Sequence, residues 1–175
     1  VLALGEIGLD FHYSFSAPHD QKEAFRQQIR LAKKLSLPVV IHSREAKDEI
    51  ARIIEEEKFS QGGILHCFTE DWNFASHMMD HNFYISFSGI LTFPKAHLLR
   101  EVAKKIPTKK LLVETDSPYL VPVPHRGKIN RNEPRYVKEI AQHLAGLKNV
   151  SLENLASTTT QNFKSLFMFE IKKPR

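Results

Sequence analysis

The strongest constraint on this chain is an alternation. Five short apolar runs, at 1–9, 37–42, 62–68, 83–88 and 111–113, are each followed by a stretch with helical spacing. Phe25, Ile29, Ala32 and Leu35 recur at intervals that put them on one face of a helix opened by Pro18. Ala46, Ile50, Ile53 and Ile54 mark the next helix, Ala75, Met78 and Met79 a third, and Leu98, Leu99, Val102 and Ile106 a fourth after Pro94. Two further helical stretches follow Pro134 and Ser151, the latter reaching about Phe167. Strand–helix alternation of this kind requires a parallel sheet. Two architectures satisfy it: an open doubly wound sheet, or a (β/α) barrel, whose eight units take ~250 residues.

What the runs end on separates the two. The first carries Glu6, the second leads into His42, the third into His66, and the fifth into Glu114 and Asp116. In LLVETDSPYL (111–120), Pro118 halts the strand, because proline has no N–H for a ladder and restricts the residue before it. Any one of these residues alone is more simply a cap or a structural histidine. Four of them on four strands are not, and α/β folds place their chemistry at the carboxyl ends of strands. Convergence from four strands on one point favours a barrel or most of one. The candidate site is therefore Glu6, His42, His66 and Asp116.

Composition bounds the rest. The chain has 175 residues, 42% hydrophobic and 26% charged, which are ordinary values for one globular domain. The formal net charge of +5 is compatible with a polyanionic substrate and is no nucleic-acid signature by itself. Cys67 is the only cysteine, so no intrachain disulfide can form and a reducing, cytoplasmic setting fits. No apolar run approaches the ~20 residues of a membrane span. Alternation along its strand turns Cys67 away from the site and into the core. The basic face of the first helix (Lys22, Arg26, Arg30, Lys33, Lys34) reads as solvated charge. Glu55, Glu56 and Glu57 stand at the C-terminal end of a helix, against the preference of its dipole, with no reason visible in the sequence.

Six motifs carry a family resemblance. GEIGLDFHY (5–13), PVVIHSREA (38–46), LHCFT (65–69), SFSGILTF (86–93), ETDSPYLVPVPHRGK (114–128) and TTQNFKSLF (159–167) together resemble the TatD family of metal-dependent deoxyribonucleases, in the family's order and over nearly the whole chain. The resemblance implies a TIM-barrel metallohydrolase whose intact site holds two divalent ions (Mg²⁺, Mn²⁺ or Zn²⁺), with DNA as substrate. By matching motif the metal ligands fall on Glu6, His42, His66 and Asp116, with Asp116 as proton acceptor. Arg44, Arg126 and Lys128 lie beside these motifs and suit phosphate oxygens. Phe11, Tyr13, Phe68 and Tyr119 are candidate platforms for unpaired bases.

The chain departs from the family pattern in two places. The family's initial His-x-His pair is missing, and GKINRNEP (127–134) is longer than the usual stretch. The expectation is a single domain over 1–175, an N-terminally truncated barrel of about five of eight β/α units. Hydrolysis of a different ester or amide, and an inactive remnant that only binds nucleic acid, are the alternatives.

Overall fold

The computed structural model describes residues 1–13 and 15–167. The expectation of a frayed tail at 172–175 lies outside them. Five strands, β1 (Leu4–Asp10), β2 (Val39–Arg44), β3 (Gly63–Leu65), β4 (Phe83–Phe87) and β5 (Leu111–Val113), form one sheet in the order β1-β2-β3-β4-β5. Every pairing is parallel. A doubly wound sheet reverses its strand order at a switch point. Here each strand pairs with its neighbour in sequence, as in a barrel wall.

The helices are α1 (Pro18–Leu35), α2 (Lys47–Glu56), α3 (Trp72–Asp80), α4 (His97–Lys105), α5 (Val137–Lys148) and α6 (Leu152–Phe167). Short 3₁₀ turns cover Gly89–Thr92, Thr108–Lys110 and Pro134–Tyr136. The proline-rich stretch after β5 contains no strand, as its composition predicts.

Period-two alternation divides the sheet into two faces. Ile7, Leu9, Val39, Ile41, Leu65, Phe83 and Ile85 are buried and join Phe25, Ile29, Ile50, Ile53, Phe74 and Leu144 in one core. The opposite positions, Glu6, Val40, His42, Ile64 and Tyr84, are only partly buried or exposed. Glycine is required where strands press together: a Cβ on Gly8, at φ +138°, would lie 2.0 Å from the carbonyl oxygen of His42.

The basic face of α1 is not merely solvated. Arg26 pairs with Glu56 and, at 3.1 Å, with Glu57. Arg30 reaches Glu57 at 2.8 Å, and Lys33 Nζ donates to the Glu57 carbonyl at 2.7 Å. The pairing explains two of the three acids that end α2: they face the guanidinium groups of α1, whose attraction outweighs the unfavourable dipole.

Candidate active site

Glu6, His42, His66 and Asp116 come together at one end of the sheet. Glu6 does not sit at a strand end, however. It is the third residue of β1, in a register irregularity between Leu4 and Ile7. Bulges re-aim side chains, and this one accompanies a Glu6 carboxylate turned toward its neighbours on the next two strands. Glu6 Oε1 lies 3.2 Å from His42 Nδ1 and 3.7 Å from His66 Nε2. His66 Nε2 also lies 3.7 Å from Asp116 Oδ1.

The two imidazoles are held from behind. His42 donates its Nε2–H to Asp10 Oδ2 at 3.1 Å. His66 directs Nδ1 at Glu114 Oε1, 2.6 Å away. Glu114 is itself fixed by the Cys67 N–H at 2.9 Å and by the Ser86 hydroxyl at 2.6 Å. Asp10 is fixed by the N–H groups of His12 and Tyr13, both at 3.0 Å. Each ring thus has one nitrogen tied to a carboxylate and the other turned into the site. A carboxylate behind an imidazole fixes its tautomer and raises its basicity, as it does in metal sites.

Neither Asp10 nor Glu114 was singled out from the sequence as a partner of the histidines. Glu114 was visible as the second carboxylate of its motif. Asp10 lies just past the apolar run at 1–9, yet it is the last residue of β1, on the same face as Glu6.

The electrostatics follow from these contacts. The hydrogen bond with Glu6 raises the pKa of His42, and that same bond lowers the pKa of Glu6. Burial disfavours charge on His66, but Glu114, Glu6 and Asp116 outweigh it and the net shift is upward. Burial raises Asp116 above the usual carboxylate range, against the pull of His66. Burial also disfavours charge on Asp10, but the two N–H donors and His42 lower it overall.

Cys67 corrects the expectation from alternation. β3 ends at Leu65, and Cys67 adopts a left-handed φ of 45°, so strand geometry no longer governs it. It lines the cleft with Sγ 3.1 Å from the Ser88 hydroxyl. Burial pushes its thiol up to about 12, which keeps it protonated near neutral pH.

The cleft, of ≈ 790 Å³, is lined by the four acidic and imidazole groups together with Asp10, Tyr13, Arg44 and Tyr119. Arg44 is the only lysine or arginine of that lining and rests 4.6 Å from the centre of the Tyr13 ring. Arg126 and Lys128 lie outside it, Arg126 packing on the Phe93 ring at 3.8 Å. Phe68 is core: it is buried against Phe74 and Phe87 and offers no face to a base. Tyr13 and Tyr119, 53% and 70% exposed, are the rings at the mouth.

The family described as "TatD related DNase" matches residues 1–168. The uncharacterized metal-dependent hydrolase YcfH of Escherichia coli K12 is 48% identical over 174 residues, covering 99% of this chain and 65% of YcfH. YabD of Bacillus subtilis 168, also named an uncharacterized metal-dependent hydrolase, is 49% identical over 168 residues, covering 95% and 65%. The protein named 3'-5' ssDNA/RNA exonuclease TatD of Escherichia coli K12 is 38% identical over 172 residues, covering 95% and 66%. Among solved structures, the TatD homolog YJJV of Escherichia coli K12 superposes with a TM-score of 0.88 at 29% identity, covering 97% of this chain and 65% of that one.

The chain therefore spans about 65% of the length of YcfH and YabD. The family match begins at residue 1 and lends no support to the expected loss of an N-terminal part. Among the described residues, no helix is long and apolar enough to cross a membrane. A parallel sheet in sequential order, six motifs in series and a match from end to end of the described residues agree: the chain belongs to the TatD family.

Proposed function

We propose that residues 1–175 act as one TatD-like domain whose cleft is the site of a metal-dependent hydrolase cleaving phosphodiester bonds of DNA, attacking single-stranded ends as an exonuclease. The observation that carries this reading is the pair of histidines, each anchored by a carboxylate on one nitrogen and facing Glu6 with the other. Two ligands of a tetrahedral ion with bonds of about 2.0–2.1 Å stand about 3.3–3.4 Å apart. The separations of 3.2 and 3.7 Å in the cluster bracket that figure, so the donor set fits a divalent ion. Glu6, His42 and His66 would hold it, with Asp116 as a further ligand. Mixed nitrogen and oxygen donors suit Zn²⁺ or Mn²⁺ better than Mg²⁺.

A bound divalent ion neutralises phosphodiester charge and makes water nucleophilic at neutral pH. The protein's own groups do the rest. Asp10 and Glu114 keep the two imidazoles in one tautomer. Asp116, lining the cleft 3.7 Å from His66 Nε2, is placed to accept a proton from the attacking water. Arg44 stands in the cleft where it can pair with a phosphate oxygen, and Tyr13 and Tyr119 offer faces to unpaired bases. Arg126 and Lys128, farther off, would contact the strand beyond the cleaved bond. The name of the TatD relative, a 3'-5' ssDNA/RNA exonuclease, supports this substrate class.

The test is metal content and cleavage on one sample. The purified chain is loaded with Mn²⁺ or Zn²⁺, its bound metal is counted, and end-labelled single-stranded DNA is digested with and without chelator. Shortening from one end that chelator abolishes is the expected result. Hydrolysis of model esters or amides with DNA left intact would reassign the substrate. Salt-sensitive DNA binding without turnover would leave a binding protein.

A further inference from the structure

We propose that Glu55, His77 and His81 form a second divalent-metal site, remote from the cleft, that clamps α2 to α3 and takes Zn²⁺ or another late first-row ion. His77 lies in the last turn of α3 and His81, four residues on, is its C-cap, so the two side chains meet at that end of the helix. Their rings lie 4.7 Å apart, and one donor atom from each of the three residues falls within 4.8 Å of the others.

Three details argue for a ligand rather than chance proximity. His81 Nδ1 donates to the His77 carbonyl at 3.0 Å, which fixes its tautomer and leaves Nε2 with a free lone pair. His77 Nε2 is buried and has no hydrogen-bond partner, yet it lies 3.3 Å from Glu55 Oε1. That is the separation of two ligands sharing one tetrahedral ion, about 3.3–3.4 Å. Finally, Glu55 is the one of the three acids ending α2 that α1 does not engage. Glu56 and Glu57 turn toward Arg26 and Arg30, whereas Glu55 turns toward α3. The cleft between the two helices gives an ion access, and its charged lining holds three carboxylates (Asp48, Glu55, Asp71) against two cations (Lys47, Arg52).

Two imidazoles and one carboxylate select Zn²⁺, Cu²⁺ or Ni²⁺ over Mg²⁺ and Ca²⁺. The inference is independent of the strand-end cluster, which uses none of these residues.

The experiment compares the chain with its H77A/H81A variant. Both keep Glu6, His42, His66 and Asp116, so the difference between them isolates the second site. The expected results are one Zn²⁺ equivalent fewer in the variant after dialysis with excess Mg²⁺, and a smaller Zn²⁺-induced rise in Tm. Co²⁺ added to the parent should give visible absorption of nitrogen-ligated character in excess of what the cleft histidines give in the variant. Equal stoichiometry and an equal rise in Tm would overturn the proposal. Should the double variant fold poorly by circular dichroism, E55Q decides: affinity at this site should fall at least tenfold, and an unchanged titration overturns the proposal.

Discussion

Glu114 accepts from His66, from the Cys67 amide and from the Ser86 hydroxyl, three partners that hold it behind the cluster. Replacing it with glutamine keeps the volume but removes the charge that supports the His66 imidazole. Partners of this kind change metal affinity by about 10–100-fold when altered. We therefore expect E114Q to lose metal affinity on that order in a calorimetric titration, with the circular dichroism spectrum unchanged. An affinity within twofold of the parent would mean that His66 is oriented by packing alone. Of the four residues that face one another in the cleft, His42, His66 and Asp116 are legible from position near a strand end and from motif together, and Glu6, inside β1, from its motif. Their supports were not. Asp10 meets His42 across 32 residues and Glu114 meets Cys67 across 47, and no spacing rule connects such distances. Cys67 was misplaced for a related reason: alternation holds only while the strand lasts, and β3 stops two residues earlier.

The best-defined helix boundary lies at α3. Asp71 accepts from the Phe74 N–H at 2.9 Å as its N-cap and also pairs with Lys47 at the start of α2. Loss of an N-cap costs about 0.5–2 kcal/mol, and D71A should lower stability by that amount in a urea titration near neutral pH. The Lys47 ion pair, exposed to solvent, adds little. pH provides a sharper check. Lys47 first, and the Phe74 N–H next, hold the Asp71 carboxyl below its ordinary range. Its folded pKa is thus lower than its unfolded one, about 3.9. The stabilisation is complete above that unfolded value and disappears as the pH falls through the folded one. Parent and D71A stabilities should therefore converge at strongly acid pH. A constant gap from pH 7 to below pH 3 would contradict this account. Helices were legible wherever apolar residues recur at three and four, as in α1 and α5. The fourth was drawn too long, because Pro94 begins a turn and α4 itself starts at His97. The three acids of α2 had no sequence explanation, since their partners are other helices.

At the scale of the molecule, among the described residues, the sequential order β1-β2-β3-β4-β5 leaves β1 and β5 each paired on one side. The two edges are not equivalent. On β5, the Asn162 side chain from α6 donates to the Leu111 carbonyl at 2.7 Å and to the Thr108 carbonyl at 2.8 Å, and Asn162 is itself buried. One amide thus satisfies part of that edge and ties α6 to it. On β1, Gly5 and Glu6 are exposed. The asymmetry of the two edges is invisible in the sequence, because Asn162 acts across 51 residues. An unsatisfied parallel edge is a template for pairing with another strand. The 175-residue chain should accordingly associate as its concentration rises, which light scattering coupled to gel filtration would detect. Under dilute conditions the amides of β1 should exchange with deuterium faster than those of β3, which is paired on both sides. As the chain associates, protection should appear on β1 and leave β5 unchanged. Protection gained on β5 instead would mean that the Asn162 clasp opens more readily than its burial implies, and that the molecule meets its partners through the opposite edge.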